Sequence, residues 1–180
     1  MASTRSSYIL ANNFAPLSKE LGFNRNNGVY MSKLFHDFSE WKSLTDVEEL
    51  PKSQVIYVIR VVDENKKPIS INRARAIDHE GIINIGSGKG LSRLKKLKGS
   101  FSSMKTTEDW HRWKHHQLVL WCLKYNFAEL LNMKSIEVED IEFCWLKAPD
   151  AKLARKQEKE TILKYKSAYA DIPIGNLKSW

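Results

Sequence analysis

Residues 54–62 read QVIYVIRVV, a run of β-branched and aromatic residues interrupted by one charge, Arg60. Such a segment has no polar face to turn to water, so it is predicted to be a central strand covered on both sides. Covering both faces requires at least two further layers of secondary structure. A chain of 180 residues, 42% of them hydrophobic, can supply these within a single domain. The same proportion of apolar residues, against 28% charged, is too high for general disorder.

The remaining elements follow by periodicity and punctuation. GIINIG, Gly81 to Gly86, reads as a second short strand stopped by Gly-Ser-Gly, close enough to the first to favour an antiparallel pair. Ser87 or Gly88 is placed to cap a helix from Lys89 to Lys98, with Leu91, Leu94 and Leu97 on one side and Lys89, Arg93 and Lys96 on the other. A longer helix is expected from Glu108 to Tyr125, a third strand from Val138 to Lys147, and a last helix from Pro149-Asp150 to Lys166. The fold class expected is α/β, with a small, mostly antiparallel three-stranded sheet flanked by helices. Ahead of it, Leu34, Phe35, Phe38 and Trp41 recur at helical spacing, and Pro51 marks a boundary. Residues 1–50 are therefore expected to be an N-terminal helical arm and 51–180 the main domain.

The longest apolar run, Leu118 to Leu123, is far short of the roughly 18–20 residues that cross a bilayer, so no membrane partner is expected. The N-terminus lacks the apolar stretch and cleavage site of a secretory signal. Cys122 and Cys144 are isolated, which fits thiols in a reducing compartment. A cytoplasmic or nucleoid-associated protein is the expectation.

The formal net charge is +8, and it is unevenly placed. Residues 86–125 carry nine Lys/Arg against two acids, while 1–85 carry eleven against ten and 126–180 nine against nine. A single cationic block directs attention to a polyanion, DNA first, although charge runs are often only solvated surface. Gly86-Ser87-Gly88-Lys89-Gly90 superficially suggests a phosphate loop. Ile83 and Gly90 occupy the positions where that motif needs glycine and Ser/Thr, so no nucleotide cofactor is expected. His111 and His115 lie four apart without a matching acidic or cysteine partner, and read as surface or phosphate-contacting groups rather than metal ligands. The Trp110, Trp113, Trp121 stripe reads as core.

Tyr57 in VIY, Ile85-Gly86 in NIGSGKGL, Arg93 in SRL, the helix ARKQEKETILKY and the closing PIGN form an ordered set from about Gln54 to Asn176 that resembles the GIY-YIG nuclease superfamily. The linker INRARAIDHEGI is similar to the one preceding the second strand in one bacterial branch. The resemblance implies a first-motif tyrosine at Tyr57, a helix arginine at Arg93, a metal-binding glutamate at Glu158 and a terminal asparagine at Asn176, with Gly86 supporting the site. The second motif tyrosine is replaced by Asn84. It also implies a Mg²⁺ or Mn²⁺ cofactor and hydrolysis of a DNA phosphodiester.

Physical chemistry bears on each position. Glu158 shares a helix face with Ala154, Ile162 and Tyr165 and has no obvious partner, whereas Glu160 has Lys156 and Lys164 four residues either way. A hard oxygen ligand beside apolar neighbours suits Mg²⁺. Arg93 can donate a planar fork to a non-bridging phosphate oxygen, and Lys89, Lys96 and His115 are candidate contacts to DNA. For Lys89, simple solvation is an equal reading. A phenol with pKa about 10 is a poor base, so Tyr57 either accepts the proton of water or orients that water. Asn84 can hydrogen-bond a phosphate or a water but cannot take a proton at neutral pH. Asn176 either ties the tail to the core or helps hold the site.

The functional expectation is a divalent-metal-dependent endonuclease of the GIY-YIG type. A catalytically degenerate nucleic-acid-binding module with the same fold is the alternative. The sequence is compatible with a single chain or a homodimer on DNA, and it carries no mark of base selectivity.

Overall fold

A computed structural model describes residues 34–49, 52–103, 133 and 135–176. Its elements in chain order are β1 (Lys42–Ser43), a 3₁₀ segment (Leu44–Glu49), β2 (Gln54–Val61), β3 (Ile71–Asn72), β4 (Ile77–Asp78), β5 (Ile82–Lys89), α1 (Gly90–Ser103), β6 (Ile141–Ala148) and α2 (Ala151–Tyr169). The helix expected over Glu108–Tyr125 lies outside the described residues, as do His111 and the tryptophan stripe.

The apolar run becomes the inner strand β2, paired antiparallel with β5 on one side and β6 on the other. The sheet is mixed with helices in an α/β arrangement, but it has four strands in the order β1-β6-β2-β5 rather than three. The fourth is Lys42–Ser43, which pairs with Phe143 and Glu142 at the β6 edge. Two residues are too short to carry a period, so nothing in the sequence marked this strand. β3 and β4 form a separate two-stranded ribbon.

Strand alternation sorts β2 between two cores. Val55, Tyr57, Ile59 and Val61 pack with Leu44, Val47, Leu94 of α1 and Phe143. Ile56 and Val58 turn the other way and pack with Ile85, Cys144 and, from α2, Ala154, Ile162, Tyr165 and Tyr169. Each fully buried aliphatic side chain contributes about 1.5–3 kcal/mol of transfer free energy. Both faces of the sheet therefore need their helix.

Residues ahead of Pro51 share in this burial. Leu44 and Val47 belong to one core, and Leu34, Phe35, Phe38 and Trp41 pack against the other. The spacing of those four predicts a helix; residues 34–38 instead form turns, because the apolar groups are spent on the sheet and not on one helix face. Trp41 is also covered by Arg60, whose guanidinium lies 4.0 Å from the ring and donates to Glu142 at 2.7 Å.

β5 runs further than expected. Gly81 has φ of 65° and its missing side chain leaves room for the carbonyls of Ile69 and Val61, so it is the turn and not the strand. The strand then continues through Gly-Ser-Gly to Lys89, and α1 begins at Gly90 without a Ser87 cap. The last helix starts where the sequence indicates and is capped there, Asp150 accepting from the Leu153 backbone N–H at 2.8 Å.

The linker before β5 is held by a buried polar group. Asp78, fully buried, accepts from the backbone N–H of Ile82 at 2.9 Å, from that of Glu80 at 3.0 Å and from the Tyr165 hydroxyl at 2.7 Å. Arg73 stands 3.8 Å away and donates to the Ile82 carbonyl at 2.7 Å. Burial first, and the Asp78 carboxylate second, push the phenols of Tyr165 and Tyr169 well above their ordinary value.

Candidate functional site

The residues singled out by sequence gather around β5, on two faces and one edge. Tyr57 and Gly86 are direct partners across the β2–β5 ladder. Tyr57 is 5% exposed and its ring lies where a Gly86 side chain would be: a Cβ there would come within 2.5 Å of Cζ and 2.8 Å of Cε2. Gly86 is thus a strand glycine demanded by space, which is why Gly-Ser-Gly does not stop the strand.

On the opposite face, the Ser87 hydroxyl donates to the Glu158 carboxylate of α2. Glu158 sits at the centre of the helix face formed by the buried Ala154, Ile162 and Tyr165, as the helical wheel predicts. The sequence hides its partner, because Ser87 there reads as one of two candidate helix caps, with Gly88. Alternation along an unbroken strand, Ile85 then Ser87, puts that hydroxyl towards α2. Glu160 behaves as expected, with Lys156 at 3.9 Å.

The third group lies along the outer edge of β5. Asn176 places its side-chain amide against one backbone unit: Oδ1 accepts from the Ile85 N–H at 2.9 Å and Nδ2 donates to the Ile85 carbonyl at 2.6 Å. The Gly175 N–H donates to the Ile83 carbonyl at 2.7 Å, and Asn84 Nδ2 donates to the Gly175 carbonyl at 3.0 Å. Residues 173–176 thereby occupy the edge hydrogen bonds that a fifth strand would take. Of the two roles open to Asn176, this is the tail-tying geometry. The Asn84 amide faces the tail and is committed to it.

Beyond Ser87 the chain passes through Gly88 and Lys89 into α1. Arg93 is the fourth residue of that helix; its side chain lies outside the described part. Roughly 7 Å of strand and roughly 6 Å of helix separate the Ser87 and Arg93 backbones along the chain. Lys89 and Lys96 are exposed. Two other lysines of the basic block are structural: Lys95 pairs with Glu48, and Lys98 donates to the Thr45 carbonyl at 2.8 Å. His115 lies outside the described residues.

Among the described residues no three His, Cys, Asp or Glu side chains gather, and no helix is long and apolar enough to cross a membrane. Comparison with protein-family profiles, with curated proteins and with solved structures gave no match.

Proposed function

We propose that this chain is a divalent-metal-dependent nuclease of the GIY-YIG type that hydrolyses DNA phosphodiester bonds, acting as an endonuclease in the cytoplasm or on the nucleoid. The observation that carries the reading is the Ser87–Glu158 contact. It holds one carboxylate of α2 beside the strand end that leads directly into the cationic helix bearing Arg93.

The donor set fits a hard cation. Mg²⁺ and Mn²⁺ keep several waters and take one or two carboxylates together with substrate phosphate, so Glu158 with the neighbouring Ser87 oxygen is a sufficient protein contribution. When bound, such an ion supplies charge neutralisation at phosphorus and a more acidic water. The chain's own groups do the rest. Lys89 and Lys96 draw the sugar-phosphate backbone to α1. Arg93 donates to a non-bridging oxygen, where negative charge grows during in-line attack. Tyr57, packed on Gly86 and nearly inaccessible, fixes the β2–β5 pairing and does not receive a proton. Asn84 acts through the tail segment it holds.

The test is nicking of supercoiled plasmid with Mg²⁺ or Mn²⁺. Glu158→Gln and Arg93→Ala are each expected to slow nicking by about 10²–10³ while leaving thermal unfolding unchanged within a few degrees. Parent protein that cuts nothing with either metal ends this reading. The second reading, a nucleic-acid-binding module without catalysis, is favoured by the engagement of Asn84 and the burial of Tyr57. It predicts binding to DNA with no nicking.

A further inference from the structure

The α2 helix carries six Lys/Arg against two glutamates, and the glutamates are occupied: Glu158 turns inward to Ser87, and Glu160 pairs with Lys156. Lys152, Arg155, Lys156, Lys159 and Lys166 are all exposed. At 100° per residue they fall within about 100° of arc, one flank of the helix, over a rise of about 21 Å. Summed over residues 126–180 the charge cancels, which concealed this stripe in the sequence.

Helix stability accounts for Lys166, a cation in the last turn, but not for the rest of the stripe: Lys152 lies in the first turn, where a positive charge opposes the helix macrodipole. Nor is the stripe suited to a lipid surface. The apolar face of α2 is used up on the sheet, and Leu163 is the sole large apolar residue on the cationic flank, leaving nothing to insert. A band of cations about 21 Å long on a helix docked against the sheet complements the backbone of a polyanion. Duplex DNA presents one charge about every 1.7 Å of its axis.

We infer that the Lys152–Lys166 flank of α2 is a second DNA-backbone contact surface, separate from the basic segment at α1. This rests on DNA being the partner, and it does not require cleavage. The test is fluorescence anisotropy of the full chain with a labelled 20-base-pair DNA duplex in EDTA, over a range of KCl. The variant K152Q/R155Q/K166Q, which spares Lys156, the partner of Glu160, and Lys159, is expected to lower the slope of log affinity against log salt by about 2–3 and to weaken binding on the order of 10- to 100-fold near physiological salt. Lys164→Gln, on the other side of the same helix, is expected to leave the slope within one-half unit of the parent. An unchanged slope in the triple variant, an equal change with Lys164→Gln, or a parent that does not bind duplex DNA overturns the inference. So does a triple variant that loses binding to phosphatidylserine vesicles but not to DNA. A parent that binds through this flank yet nicks nothing keeps the inference and ends the nuclease reading.

Discussion

The ring of Tyr57 occupies the space that a side chain at Gly86 would need, directly across the pairing of β2 with β5. Two motif positions are thereby one packing unit. Gly86→Ala is expected to force the ring aside and cost about 1–3 kcal/mol. The smaller ring-deleted background, Tyr57→Leu, should remove most of that added cost. Urea unfolding of the two single variants and the double variant measures the coupling; strict additivity would separate the pair.

The clip of Asn176 on Ile85 gives a second expectation. Asn176→Ala loses two hydrogen bonds at the β5 edge, a cost of about 1–3 kcal/mol at 0.5–1.5 kcal/mol each. The amide hydrogens of Ile85 and Gly175 should exchange with solvent faster in the variant, whereas those of β2 should not change. Equal protection of Ile85 in parent and variant would contradict the clip.

Stability should fall at alkaline pH, and the sign follows from the raised groups. Burial, then the Asp78 carboxylate, hold Tyr165 and Tyr169 protonated above the ordinary phenol value of 10.0, and burial does the same to Cys144 above 9.0. The unfolded chain releases these protons first. Stability is therefore complete below about pH 9 and declines as pH rises, by up to about 1.4 kcal/mol per pH unit for each group the unfolded form has ionised. Tyr165→Phe loses its bond to Asp78, about 1.5–3 kcal/mol at neutral pH, and should show a shallower alkaline decline. Urea midpoints from pH 7 to 10.5 test this, and identical slopes in parent and variant would refute it.

Ser87 touches the carboxylate on which the proposed chemistry depends. Ser87→Ala should reduce nicking by about 10–100-fold, the usual effect of deleting a group that orients a ligand. It should raise the Mg²⁺ concentration giving half-maximal rate and leave the unfolding midpoint nearly unchanged. A loss of rate that added Mg²⁺ does not mitigate would give Ser87 a different role.

How far the sequence exposes this molecule depends on the length of each signal. Seven apolar or aromatic residues among the nine at 54–62 announce β2, and Pro149-Asp150 ahead of a 3.6-residue period announces α2. β1 has only two residues, and the turn at 34–38 has helical spacing without a helix, since its aromatic groups answer to the sheet. Asp78 reads as an ordinary linker acid until Tyr165, far along the chain, is seen to donate to it. The Glu158 position is legible from its wheel. Its Ser87 partner is hidden by a glycine pair whose purpose, room for Tyr57, is a tertiary fact.

The tail clip also bears on the order in which the protein is made. During synthesis β2, β5 and β6 can assemble once Ala148 has emerged, but Ile83 and Ile85 keep outward-facing peptide groups until Gly175 and Asn176 follow. For that interval the nascent sheet has an adhesive border open to any other extended segment. Pairing of Gly175 and Asn176 with Ile83 and Ile85 is what closes that border.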